Sequence, residues 1–204
     1  MSPSDLYAPP SSSVDGPTRA ELAAKASGDY PIASVGQRIG ACILEVVVML
    51  PLIGLQLYLS TVSRTVDIVS LVLYQLFFCA LYIGMVRFYG GTPGKLIMGL
   101  RVLLTDRTPA TWKASILRYA VYGVLGIAGV AGQVIGKLGL PDDYQGLDYM
   151  ARATLLQAQM PWWTMLVNVV LFLWFVACFI SLIANRQHRT LYDFLAGTIV
   201  VRVR

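Results

Sequence analysis

Charge is what this sequence has least of. Asp, Glu, Lys and Arg together make up 13% of its 204 residues, against about 25% in a soluble domain. Charge that sparse would not cover the surface of a water-soluble protein of this size. Three cysteines are too few for a disulfide scaffold. Cys42, Cys79 and Cys178 fall in separate apolar stretches without ligand spacing, so they read as small apolar fillers. His188 is the single histidine, and nothing near it in the sequence makes a metal set. Neither a Ser–His–Asp arrangement nor a paired-carboxylate motif occurs, so a non-enzymatic chain without metal or cofactor is expected. Apolar residues, by contrast, make up 56%. Disorder requires the reverse balance, which leaves a membrane protein. At about 20 residues per crossing, four or five crossings use up the chain, with no room for a large soluble catalytic domain.

Residues 1–34 form a polar leader with Pro3, Pro9, Pro10, Pro17 and three consecutive serines at 11–13. It lacks the basic start and apolar core of a signal peptide and is expected to stay uncleaved and disordered, with a helical turn or two at 21–25. Residues 35–204 form the membrane domain. Four apolar stretches predict spans at about 35–59, 68–88, 116–140 and 162–184. The third is rich in glycine, with Gly123, Gly126, Gly129, Gly132 and Gly136. It reads either as a full helix or as a re-entrant piece packed within protein. Trp162 and Trp163, following Pro161, fit an interfacial aromatic belt at the start of the last span. A short interfacial helix is expected at about 147–159. The predicted fold is an all-α bundle of four transmembrane helices.

The basic residues supply an independent test of topology. Four spans put both termini on one side with the loop at 89–115, and that side carries thirteen of the sixteen basic residues. Only Arg64, Lys137 and Arg152 fall to the other two loops, beside Asp67, Asp142, Asp143 and Asp148. Excess Lys and Arg marks the cytoplasmic face, so both termini are expected in the cytoplasm, and the net charge of +5 reads as topology. No nucleic-acid partner is expected.

Glu45 is the costly residue. A carboxylate at the centre of a span costs about 2.5–3.5 kcal/mol. It lies seven residues after Arg38, so both share a helix face about 10 Å apart along the axis, within reach of one bridging group. Two readings stay open: an ion or proton site inside the bundle, or a buried acid paired with a donor on another helix. Gly36 and Gly40 form a G-x-x-x-G, a close-packing signature; the glycines of the third span read as tight packing or as a deformable helix. The loop Gly90-Gly91-Thr92-Pro93-Gly94-Lys95 falls short of a phosphate loop, because three residues rather than four precede Gly94-Lys95 and Leu96 follows. No nucleotide is expected there. Residues 100–105 and 199–204 are β-prone, the latter ending in alternating apolar and basic residues. They are expected to pair as a short cytoplasmic β-ribbon.

Three segments together resemble the RDD family of small, mostly bacterial membrane proteins, named for one Arg and two Asp. They are Gly36-Gln37-Arg38-Ile39-Gly40-Ala41-Cys42-Ile43-Leu44-Glu45, Gly90-Gly91-Thr92-Pro93-Gly94-Lys95-Leu96-Ile97-Met98-Gly99-Leu100-Arg101-Val102 continued by Leu117-Arg118, and Arg189-Thr190-Leu191-Tyr192-Asp193-Phe194-Leu195-Ala196-Gly197-Thr198-Ile199-Val200-Val201. The resemblance implies that Arg38 is the family's Arg, that Glu45 stands where its first Asp usually is, and that Asp193 is its second Asp. Tyr192 occupies a place where relatives often have His. It further implies a cytoplasmic motif of Gly90, Thr92, Gly94, Lys95, Gly99, Arg101 and Arg118. Asp193 is expected to balance Arg186, Arg189, Arg101 and Arg118. A multi-pass protein of the bacterial inner membrane follows, either a non-enzymatic accessory or scaffold or a transport-associated protein. The alternative is a small cation/proton antiporter, or a subunit of one, using Glu45. Its expected partners are the lipid bilayer and a second copy or another membrane protein.

Overall fold

The structure, a computed structural model, describes residues 30–141 and 144–203. The leader up to residue 29, with the helical turns expected at 21–25, lies outside the described residues. The chain runs through α1 (Val35–Leu59), α2 (Arg64–Tyr89), a short α3 (Pro93–Ile97), β1 (Leu100–Leu104), α4 (Trp112–Leu138), α5 (Tyr149–Gln159), α6 (Trp162–Ala184), α7 (Leu191–Ala196) and β2 (Thr198–Arg202). Helices α1, α2, α4 and α6 are long and apolar enough to cross a membrane. Helix α4 is continuous over 27 residues, about 40 Å at 1.5 Å per residue, so the glycine-rich stretch is a full-length helix and not a re-entrant piece.

Three of the four long helices start at a side-chain cap, and α6 starts after Pro161 without one. Ser34 accepts from the Gln37 amide, and Gln37 reaches back to the Ser34 amide, which closes a capping box on α1. Ser63 and Thr111 accept the third amides of α2 and α4, and Asp148 accepts two amides at the start of α5. The bundle's outer skin is apolar, with Ile43, Leu73, Val124, Phe172 and Leu173 all exposed; lipid is the solvent that skin fits.

Helix α4 is the hub, packing on α2, α5, α6 and α7. Its glycines permit this against three neighbouring helices, with Gly132 and Gly136, four residues apart, on one face and Gly126 on another. A Cβ on Gly126 would stand 2.8 Å from Gln75 Nε2 of α2, one on Gly132 2.3 Å from Thr164 Oγ1 of α6, and one on Gly136 3.0 Å from Leu156 of α5. These glycines are packing sites. Among the described residues the Gly36/Gly40 pair is not a helix–helix seam: a Cβ on Gly40 would meet only the Met98 side chain, and one on Gly36 nothing within 4 Å.

Two acid–base groups close the bundle at its ends. At the end bearing α5, Asp67 is buried and paired with Lys137 and Tyr144, while Arg64 donates to the Leu140 and Pro141 carbonyls at 2.6 and 2.7 Å. Asp67 lies in the first turn of α2 and Lys137 in the last turn of α4, where each charge offsets the burial cost of the other. At the opposite end, β1 and β2 pair antiparallel, from Leu100 opposite Arg202 to Leu104 opposite Thr198. The ribbon has a further edge. Ile32 bridges Val201, the Ala33 amide donates to Val200, and the Arg202 amide donates to Pro31. The last residues of the leader are therefore part of the folded unit. Leu100, Val102, Val200 and Ala33 form a small core with Ala41 of α1 and Val86 of α2, which binds the ribbon to the bundle.

Candidate functional site

Asp193 sits at the third position of α7 and is fully buried. That position lets its carboxylate reach back to the helix start, where Oδ2 accepts from the Thr190 amide at 3.1 Å and the Thr190 hydroxyl at 2.9 Å. Oδ2 also takes the Arg38 guanidinium, while Oδ1 takes Arg118 and, at 3.2 Å, the Thr198 hydroxyl. Arg38 spends its other terminal nitrogen on the His188 carbonyl. Of the four basic residues expected around Asp193, only Arg118 reaches its carboxylate. Arg189 bonds the main-chain carbonyls of Asp193 and Thr198, and Arg101 and Arg186 are exposed. The second cation is Arg38, 155 residues away in sequence.

Burial pushes the Asp193 carboxyl up, but the Arg118 and Arg38 charges and the hydrogen bonds more than reverse this and hold it well below the usual carboxylate range. A carboxyl lowered on folding contributes stability that is complete above its unfolded value of about 3.9 and is lost as pH falls toward its folded value. Melting temperature in detergent is accordingly expected to show no loss from this group between pH 7 and pH 5 and a decline below about pH 4. A decline that tracks Asp193 but begins near pH 6 would contradict the assignment.

Glu45 does not share a partner with Arg38. Its Oε2 accepts from the Thr92 hydroxyl at 2.6 Å and the Gly94 amide at 3.1 Å, while Lys95 donates to the same Thr92 oxygen at 3.0 Å. The motif of the short connection is thereby explained. Gly90 and Gly99 have φ of 70° and 67°, a left-handed backbone that glycine adopts without penalty, and these turns lay α3 against α1. Gly94 must lack a side chain, since a Cβ would stand 2.2 Å from the Ala41 carbonyl. The Gly94 amide, which a phosphate loop would keep for its ligand, is occupied by Glu45.

The other oxygen of Glu45, Oε1, is buried without a partner. It belongs to a residue on the wall of a partly open cavity of about 490 Å³ lined by α1, α2, α3, α4, α6 and α7. Arg118 and Ser115 line the same cavity, and each has a buried polar atom with no partner, Nη2 and Oγ respectively. Lys95 and Thr92 complete the polar wall. The aromatic wall contains Tyr82 stacked on Tyr119 at 5.6 Å, and Tyr122 near Tyr192 at 6.4 Å. The Tyr192 ring also carries the Arg118 guanidinium at 4.8 Å.

Of the residues expected to act, Arg38, Arg118 and Asp193 form one cluster, and Glu45, Thr92, Gly94 and Lys95 form another. Gly90 and Gly99 shape the turns, and Arg101 takes no part in either cluster. Ser115, Tyr82, Tyr119 and Tyr122 were not among the expected residues. A signal for them does exist: Ser115, Tyr119, Tyr122 and Gly126 recur at helical spacing, which sets them on one face of α4. Among curated proteins none matches the chain. Residues 32–197 match the RDD family, whose members are membrane proteins, and this chain belongs to that family.

Proposed function

We propose that this protein is a non-enzymatic, transport-associated protein of the bacterial inner membrane that holds a small polar solute in the cavity beside α4. The observation that carries this reading is the set of three buried, unpartnered polar atoms, Glu45 Oε1, Ser115 Oγ and Arg118 Nη2, belonging to residues that line one cavity. Each such group left unpaired costs about 1–3 kcal/mol, and these three converge on one cavity. The ribbon, α3 and both termini face the cytoplasm in this reading, because Lys and Arg concentrate at that end. Four spans leave little room for alternating access within one chain, so a second copy or a membrane partner belongs to the reading.

A membrane-impermeant methanethiosulfonate tests both the cavity and its sidedness. With Cys42, Cys79 and Cys178 replaced by alanine, a Ser115→Cys variant should be labelled in inverted membrane vesicles and spared in intact cells whose outer face alone is exposed to reagent. Labelling from neither side removes the solute cavity, and labelling only from outside reverses the orientation. The cation/proton antiporter alternative draws on the same free oxygen of Glu45. It requires that Glu45→Gln abolish proton-coupled cation flux in proteoliposomes, and retained flux removes Glu45 from that role.

A further inference from the structure

We propose that the ligand of this cavity is a zwitterionic α-amino acid with an apolar side chain, its carboxylate on Arg118 Nη2 and Ser115 Oγ and its ammonium on Glu45 Oε1. The proposal rests on the solute-cavity reading above and names its chemistry. Arg118 is 8% exposed and Ser115 1%, and they lie three residues apart on α4, so they share a face. The guanidinium cannot turn away from the cavity without losing its other contacts. Its Nη1 is held by Asp193 and Thr198, and its plane rests on Tyr192. Glu45 is fixed in the same manner, since Thr92 and Gly94 hold Oε2, while Oε1 makes no hydrogen bond of normal geometry and the Tyr82 phenol stands beside the carboxylate. A donor pair and an acceptor are thus pre-positioned in one cavity, an arrangement that lowers the ordering cost of binding.

The wall discriminates by charge as well. A simple anion meets Glu45, and a simple cation meets Arg118 and Lys95, so a molecule with a single charge leaves one of these groups unanswered. A ligand with both charges satisfies both ends. The remainder of the wall is apolar and aromatic, with Phe78, Tyr82, Tyr119, Val46 and Leu171, which suits a leucine- or phenylalanine-like side chain. The volume of about 490 Å³ falls within the range of roughly 300–1,000 Å³ usual for small-molecule pockets.

The test is scintillation-proximity binding of tritiated L-phenylalanine to the full chain purified in mild detergent, with 3-phenylpropionate and phenethylamine as competitors. Saturable binding is expected, with each competitor, lacking one of the two charged groups, weaker by about tenfold or more. Ser115→Ala and Glu45→Gln should each weaken binding to a similar degree; Ser115→Ala, a small change within a helix, serves if the Glu45 variant does not fold. Competition by 3-phenylpropionate or phenethylamine as strong as by L-phenylalanine overturns the zwitterion. Absence of saturable binding by L-phenylalanine and L-leucine while Ser115→Cys still reacts with the thiol reagent overturns the ligand class and leaves the solute cavity standing. Absence of both overturns the cavity as well.

Discussion

Replacing Asp193 by Asn is expected to cost about 3–5 kcal/mol, the penalty for removing one partner from a buried ion pair. Oδ1 and Oδ2 together accept five hydrogen bonds, from Arg38, Arg118, Thr198 and, twice, Thr190. An amide supplies one acceptor oxygen, and its NH2 then faces donors with nothing to accept it. Two guanidiniums are left without a counter-charge in a region where Arg38 is 4% exposed and Arg118 8%. The expected readout is a fall in melting temperature in detergent of the order of 10 °C, with loss of monodispersity. A double-mutant cycle with Arg38→Met isolates the pair: the two changes together should cost clearly less than their sum. An Asp193→Asn protein with unchanged melting temperature would show that the cluster does not hold the fold.

Gly94→Ala should be nearly as damaging although it adds one methyl group. That carbon would stand 2.2 Å from the Ala41 carbonyl oxygen and 2.6 Å from the Glu45 amide nitrogen, both backbone atoms of α1. Neither can rotate away, so α3 must lift from α1 and break the Gly94–Glu45 hydrogen bond. Overpacking of this kind costs about 1–3 kcal/mol and occasionally more, and the loss of a bond to a charged group adds about 1.5–3 kcal/mol. Gly36→Ala is the control, because it lies on the same face of α1 one turn before Gly40 with nothing within 4 Å. It should be neutral or stabilising by roughly 0.5–1 kcal/mol through helix propensity alone. Equal effects from the two substitutions on melting temperature would contradict the close approach of α3.

The spans were legible because hydropathy is a local property. The expected ranges 35–59 and 162–184 coincide with α1 and α6. The helix expected at 147–159 is found at Tyr149–Gln159, and the ribbon was legible from alternation near its second strand. What stayed hidden is long-range. Nothing within the leader-proximal segment says that Arg38, rather than Arg189 or Arg101, faces Asp193, since that choice is made when the last helix packs on α4. The pairing of Asp67 with Lys137 was missed because a rule that counts charges by loop does not register two opposite charges neutralising each other at neighbouring helix ends. The cavity was hidden most deeply. It belongs to no element and exists only as the space that six helices leave between them.

The Arg38–Asp193 contact also constrains the order of events during synthesis. Arg38 lies at the head of the first span, and its counter-ion is 155 residues downstream. At about 5–20 residues per second, roughly ten to thirty seconds pass in which all four long helices are made while a guanidinium meant for burial has no carboxylate. Arg38 can make its buried ion pair only after α7 has been synthesised, so the arrival of α7 is the step that ties the head of α1 to the rest of the bundle.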